Sequence, residues 1–481
     1  MKYRWSIAPE TPLLDLSASR IPETSVPLVA RCLGHRGVRE PAAAARYLHP
    51  RLRDLADPFR LPGMDRAVDR LLAARERGEA VTLFGDYDVD GITATALLQD
   101  ALGRLGWTLR SYLPDRFGEG YGLTPEAARN CLAQQHTPLL LAVDCGSTAI
   151  EAIDWLRAQG VEVLVLDHHQ VGPQPPAAVA LVNPQLGPTD RELCSVGLAF
   201  KLVHAVVKEG RTRLGPPFAD FDLRPLLDLV ALGTVADLVP LTGENRILVR
   251  HGLERLGSTD RPGLVALKEL AGVEGEINPG HVGFQLGPRL NAAGRLETAG
   301  QALDLLLADA EEPARRLAAA LDAVNRERQA IERRMAEDAI GMVRSRFDPG
   351  RDYVIVEGQL QWHIGVVGIV ASRVLREFHR PTLIIGGDGP VWRGSGRSIR
   401  GFDLAAALRE CDDLLVRHGG HAMAAGITLD PGRMEALRER LNDLARRRLT
   451  PADLVPEIRL DAVAAVAELS LDCLAALAAL A

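Results

Sequence analysis

The chain has 481 residues, of which 47% are apolar and 25% charged, the composition of a globular protein of two or three domains. No run approaches the about 18 uninterrupted apolar residues of a membrane span. A net charge of −7 argues against gripping a polyanion through bulk charge, although a carboxylate-rich metal site would add to that count and bound cations would reverse it locally.

Met1-Lys2-Tyr3-Arg4-Trp5 does not open a secretory signal, so a cytoplasmic location and no membrane partner are expected. Cys32, Cys131, Cys145, Cys194, Cys411 and Cys473 are scattered without a Cys-x-x-Cys pair, which argues against a disulfide framework or a structural zinc site. Lysine occurs only at Lys2, Lys201, Lys208 and Lys268. The bias to arginine reads as base composition, with particular arginines reserved for bidentate phosphate contacts.

Residues 1–75 are Pro-rich, then Ala/Arg-rich, and read as an N-terminal arm packed on the main domain. Over 76–307 strand and helix patterns alternate: a strand at 80–85, a helix from Ile92 to about Leu105, a strand at 139–143, a helix from Ser147 to Gly160, and a strand at 161–166. This rhythm predicts an α/β fold with a doubly wound parallel sheet. Residues 308–347 form one long charged helix that joins it to a second, smaller α/β domain at 348–450. That domain is expected to hold a strand at 353–356, a helix at 365–379, strands at 381–386 and 391–398, a helix at 404–417 and a strand at 422–428. Residues 451–481 are an Ala/Leu-rich tail, expected to begin a further C-terminal region.

Chemistry collects where the strands end. Asp86-Tyr-Asp88-Val-Asp90-Gly91 follows the first buried strand. A calcium loop would place its Gly later and close with Glu, so metal binding after a strand is the better reading than that loop or a solvated turn. Asp144-Cys-Gly-Ser follows the second strand and, alone, would be a helix-capping turn. Asp167-His168-His169 follows the third; a single such His is commonly structural, but two beside an Asp suit a divalent cation. Asp237 ends the apolar helical stretch 226–235, where an unpaired carboxylate would be costly. In a doubly wound sheet these groups converge outside the carboxyl ends of the strands. Gly287-Pro-Arg289-Leu-Asn291-Ala-Ala-Gly294-Arg295, Gly394-Ser395-Gly-Arg397-Ser and Gly419-Gly420-His421 are candidates for phosphate contacts, although on its own Gly419-Gly420 reads by default as a helix C-cap.

Taken in order, these motifs resemble the DHH phosphoesterase superfamily, with the Gly419-Gly420-His421 region similar to the DHH-associated domain. Pro114-Asp-Arg116-Phe-Gly-Glu-Gly-Tyr-Gly122, Arg289 to Arg295 and Trp362-His-Ile-Gly-Val-Val-Gly368 resemble, within it, the RecJ single-strand-specific exonucleases. The likeness runs over about residues 50–450. It implies a phosphodiesterase with two divalent ions, Mn²⁺ or Mg²⁺. Asp88 and Asp144, aided by Asp86, would hold one ion. Asp90, Asp144, His168 and Asp237 would hold the other. Asp167 would orient a ligand. His169 would face the scissile phosphate, and His169, Arg289 and Asp144 would carry catalysis. Arg116, Asn291, Ser395, Arg397, Gly419, Gly420 and His421 would contact substrate.

Two departures stand out. Phe84 occupies a position where many superfamily members have His, so one ion is expected to bind more weakly. The chain also stops at Ala481, before the OB-type domain with which such enzymes continue. The resemblance implies degradation of single-stranded DNA from the 5′ end, in recombination and repair, by a monomer. A single-strand-binding protein and a RecQ-type helicase are the implied partners. The rival readings are a DHH phosphodiesterase for small nucleotides and a catalytically inactive replication scaffold.

Overall fold

A computed structural model describes residues 3–9, 14–16, 21, 25–116, 118–188 and 191–480. Phe117, within the Pro114–Gly122 motif, and Ala481 lie outside these residues, as does part of the N-terminal arm. The chain forms two units, Glu40–Asn325 and one combining Met1–Arg39 with Arg326–Ala481. The long helix Glu311–Arg346 carries residues of both. Strand β1 (Arg4–Ile7) and the helix Val26–His35 fall in the second unit, whereas the helices Pro41–Leu48 and Met64–Glu76 fall in the first. The arm thus divides between the units.

In the first unit β2 (Ala80–Phe84), β3 (Thr108–Tyr112), β4 (Leu139–Val143), β5 (Glu162–Leu166) and β6 (Ala180–Val182) form a parallel sheet in the order β3-β2-β4-β5-β6. The central strands are apolar almost throughout because both faces are covered. Val81, Leu83, Leu139, Leu141, Val143, Leu164 and Leu166 enter one core; Phe84, Leu140, Ala142, Val163 and Val165 enter the other. This is the two-residue alternation of a strand. The strand order reverses beside β2, between β3 and β4, and ligands bind at such switch points beyond the strands' carboxyl ends.

Three helices close over that edge: Val89–Arg104, Ser195–Arg213 and Leu227–Ala236. Gly233 lets them meet, because a Cβ there would collide with Thr93 Oγ1 and Val196.

The second unit has a mixed sheet of β7 (Ile355–Leu360), β8 (Thr382–Gly387), β9 (Trp392–Arg397), β10 (Arg417–His421) and β11 (Ala424–Leu429), in the order β10-β11-β9-β8-β7. Only β7–β8 among these pairs is parallel. The helix expected at 404–417 ends at Arg409, and Gly419-Gly420 lies in β10 of a hairpin instead of capping a helix. Two glycines suit a tight hairpin more than a helix end here, because Ala424 O closes on Gly420 where a Cβ would sit. A last strand, β12 (Glu457–Leu460), pairs in parallel with β1, Arg4 opposite Glu457 and Ile7 opposite Leu460. No described helix is long and apolar enough to cross a membrane.

Candidate metal centre

Three of the acidic motifs begin where a strand of the parallel sheet stops, and Asp237 ends a helix. Asp86 follows β2 and is fully buried. Asp88 caps the next helix, its Oδ1 accepting the N–H groups of Asp90 (2.9 Å) and Gly91 (3.1 Å). Gly91 is needed there, since a Cβ would lie 2.7 Å from Asp86 O. Asp90, in the first turn of that helix, faces the start of another: Ser195 N and Val196 N donate to its two oxygens at 2.7 and 2.8 Å. Free N–H groups at a helix start favour a carboxylate.

Asp144 follows β4 with φ 64°, a left-handed conformation that costs energy for a residue with a Cβ and concentrates at functional sites. Its Oδ1 accepts the Ser195 hydroxyl at 2.8 Å. Asp167 and the two histidines follow β5, and Asp237 is the C-cap of Leu227–Ala236.

These groups converge. Three sets have donor atoms within 4.8 Å of one another: Asp86, Asp88 and Asp144; Asp90, His168 and Asp237; and Asp144, His168 and His169. His168 Nε2 lies 3.8 Å from Asp90 Oδ2, 3.5 Å from Asp144 Oδ1 and 3.7 Å from Asp237 Oδ2. Burial pushes the His168 pKa down against the pull of Asp90, which favours the neutral imidazole that binds metal. Its buried Nε2 has no hydrogen-bond partner, and neither do the two oxygens of Asp86. Buried acceptors without a donor are unfavourable, and a cation in each donor set would satisfy them.

The carboxylates register the same stress. Burial, then the charge of Asp88, raises Asp86 well above the carboxylate range; burial, then Asp90, does the same to Asp144. Burial raises Asp90, and burial with the charges of Asp90 and Asp88 raises Asp237 to about 8. The donor set fits divalent ions.

The adjacent histidines are unlike. Burial would lower the pKa of His169, but its bond to Asp167 and the charges of Asp167, Asp88 and Asp237 together outweigh burial and raise it to about 9. His169 Nδ1 meets Asp167 Oδ1 at 2.8 Å, and His169 N donates to the same oxygen at 3.1 Å. Asp167 Oδ2 accepts from Ser147 N at 2.9 Å. Burial works against the Asp167 charge, but the bond and charge of His169 with the Ser147 bonds together outweigh it and depress its pKa. Asn183 completes the support, donating to Ser147 Oγ (2.8 Å) and His169 O (2.9 Å). The Asp expected to orient a ligand thus holds His169, not His168.

Ser195 and Asn183 escaped the sequence reading, and Ser147, expected to start the helix that in fact runs Ile150–Ala158, instead braces Asp167. Ser195 had one usable signal, a Cys-Ser pair opening a long apolar helix, whose N–H groups must find acceptors.

Among the other candidates, the Arg116 guanidinium lies 5.1 Å from the Tyr87 ring centre, beside the Asp86 loop. The helix Gly287–Leu296 carries Arg289 and Asn291, and Gly294 lets it approach, since a Cβ there would lie 2.6 Å from Tyr87 O. Arg289 Nε donates to buried Asp322 Oδ1 at 2.9 Å and Nη1 to Gln285 O at 2.6 Å, so that ion pair must open or be shared for Arg289 to reach a phosphate. Phe84 stacks on Tyr112, ring centres 5.5 Å apart, and offers no donor.

In the second unit the register aligns Arg397 with Ala424, and Ala424 with His421. Arg397 Nη1 donates to Ser395 Oγ at 2.9 Å. Gly368, in the first turn of Val367–Phe378, abuts both: a Cβ would lie 3.0 Å from Arg397 Nη2 and from Ser395 Oγ. Gly419, Gly420 and His421 are exposed on the hairpin.

Comparison with known proteins agrees with this architecture. The DHH family, N-terminal domain, matches residues 80–234, and the DHHA1 domain matches residues 351–447. The single-stranded-DNA-specific exonuclease RecJ of Bacillus subtilis is 41% identical over 473 residues, 97% of this chain but 58% of that protein. The chain therefore spans less than two thirds of that relative. RecJ of Dickeya dadantii is 39% identical over 454 residues, 91% of this chain and 78% of that protein. The crystal structure of RecJ from Thermus thermophilus in complex with Mn²⁺ superposes with a TM-score of 0.83 at 33% identity, covering 99% of this chain and 67% of that one. The chain belongs to the RecJ family of single-stranded-DNA-specific exonucleases.

Proposed function

We propose that this protein is a metal-dependent exonuclease that degrades single-stranded DNA from the 5′ end to mononucleotides, in recombination and repair. The observation that carries this reading is the convergence of Asp86, Asp88, Asp90, Asp144, His168 and Asp237 at one sheet edge, where the buried Asp86 oxygens and His168 Nε2 have no hydrogen-bond partner. Asp86, Asp88 and Asp144 would hold one ion. Asp90, His168 and Asp237 would hold the other, with Asp144, 3.5 Å from His168 Nε2, able to bridge. Carboxylates with a single imidazole suit Mn²⁺ or Mg²⁺. Two such ions supply Lewis acidity that offsets charge on the attacking and leaving oxygens.

The chain's own groups do the rest. His169, with its pKa raised to about 9, is protonated at neutral pH and can donate to a phosphate oxygen as its charge grows. Arg289, released from Asp322, would join it, and Arg116 and Asn291 would position the strand. In the second unit Ser395, Arg397, Gly419, Gly420 and His421 would bind a terminal phosphate. The domain division that goes with this reading is a nuclease domain over 76–307, a connecting helix over 308–347 and a DHH-associated domain over 348–450. A cytoplasmic monomer, working with a single-strand-binding protein and a RecQ-type helicase, completes it.

The test is digestion of 5′-labelled and 3′-labelled single strands with Mn²⁺, Mg²⁺ or chelator. The reading expects metal-dependent release of label first from the 5′ end. Faster turnover of a dinucleotide than of the strand would favour a small-nucleotide phosphodiesterase instead.

A further inference from the structure

An imidazole nitrogen makes one in-line hydrogen bond, and at His169 Nε2 that bond is already made. The Tyr121 hydroxyl lies 3.0 Å from it. The other ring nitrogen is held at 2.8 Å by Asp167, which also takes the His169 backbone N–H. Asp167 therefore fixes the ring's orientation without Tyr121. A phosphate oxygen that reaches His169 must compete for the same nitrogen as the phenol.

Tyr121 is placed to yield. It is 54% exposed and meets its neighbours edge-on, Tyr87 and His169 each at 6.0 Å between ring centres. It sits between Gly120 (φ 88°) and Gly122 (φ 69°), two residues free of the Cβ that resists this backbone. The anchors lie just outside. Glu119 accepts from Asp115 N (2.7 Å), Tyr112 Oη (2.6 Å) and Asn130 Nδ2 (2.5 Å). Thr124 donates to Glu119 O at 3.1 Å and caps the helix Pro125–Gln134. A swing confined to residues 120–122 would free His169 Nε2 and leave both anchors intact.

We propose that Tyr121 is a gate on His169. Its hydroxyl occupies Nε2 while no strand is bound, and the phosphodiester of an incoming strand displaces it. The gate rests on the exonuclease reading, in which His169 meets the scissile phosphate. It makes Tyr121 a positioning residue that sets how tightly the substrate phosphate is taken, not a group in the reaction itself.

The test is Tyr121→Phe, which keeps the ring and removes the competing hydroxyl. With Mn²⁺ and a 5′-phosphorylated oligothymidine, KM should fall roughly twofold to tenfold, the worth of one hydrogen bond, with kcat unchanged. The Kd of a phosphorothioate-blocked strand, read by fluorescence anisotropy, should fall by the same factor. Unchanged KM and Kd overturn the gate. A fall in kcat with unchanged KM also overturns it, because the hydroxyl would then act in the reaction. Wild type and Asp144→Asn separate the two readings: if wild type digests the strand and Asp144→Asn does not, a null result for Tyr121→Phe removes the gate alone. A wild type that leaves the strand intact overturns both.

Discussion

Ser195 ties Asp144 to Asp90: its hydroxyl donates to Asp144 Oδ1 at 2.8 Å while its backbone N–H donates to Asp90 Oδ2 at 2.7 Å. The two carboxylates follow different strands, Asp90 on the helix after β2 and Asp144 just after β4, and belong to different donor sets, so this serine sets the spacing between the two ion sites. Partners of metal ligands typically contribute about tenfold to hundredfold in affinity. Ser195→Ala is expected to weaken Mn²⁺ binding by that order, measured by calorimetric titration, and to recover much of its activity at high Mn²⁺. Wild-type affinity in the variant would show the hydroxyl to be passive.

Asp144 is buried among carboxylates in a left-handed backbone conformation, a costly arrangement that the fold tolerates because a cation belongs there. Asp144→Asn removes the charge and keeps the shape. In chelator it should melt higher than wild type, by about 1 kcal/mol or roughly 2–4 °C. With Mn²⁺ the order should reverse, because only wild type gains the full binding energy. Hydrolysis of single-stranded DNA should drop by about a thousandfold or more. Calorimetric melts with and without Mn²⁺ check both signs, and equal melting temperatures in chelator would contradict the account of Asp144 as a strained, repelled group.

What the sequence disclosed depended on whether a pattern was local. Leu139–Val143 reads as a buried strand because a run of five apolar residues between Pro138 and Gly146 is too short for a helix and suits a sheet covered on both faces, and the strand has those bounds. Asp86, Asp144 and Asp167 were legible for the same reason, since each comes just after such a run. The pairing of β1 with β12 was not legible: Arg4–Ile7 and Glu457–Leu460 are short, and only the fold brings chain ends together. Strand β10 was missed because glycine is a poor strand former, and Arg417–His421 exists only by pairing with Ala424–Leu429. Ser195 was invisible as a site residue because its contacts, Asp90 and Asp144, lie on other elements.

Asp237 gives the metal-free protein a defined pH response. Its carboxyl titrates at about 8 when folded, against about 4 when unfolded. The folded state therefore holds a proton that the unfolded state has lost, so this contribution to stability is complete below about pH 4 and is lost as pH rises to about 8. Asp86, Asp90 and Asp144 shift in the same direction. Denaturant melts of wild type and Asp237→Asn in chelator should therefore diverge between pH 5 and pH 8, the variant becoming relatively more stable at pH 8. Mn²⁺ affinity of wild type should rise over the same interval, since binding requires the deprotonated carboxylates. Parallel stability curves for the two proteins would refute the assignment.

Asp167 offers a test of what His169 contributes. Asp167 belongs to none of the three donor sets, so Asp167→Asn should leave Mn²⁺ affinity within about tenfold of wild type. It should instead lower the His169 pKa from about 9, because the bond and charge that raise it are gone. If that pKa returns to about 6.5, the protonated fraction at pH 8 falls roughly thirtyfold, while at pH 6 most of it remains. The variant's kcat should then approach wild type at pH 6 and drop by about that factor at pH 8, moving the alkaline limb of the pH–rate profile to lower pH. An equal loss at both pH values would mean that Asp167 acts by holding the imidazole in place and that the proton on His169 is not what the phosphate needs.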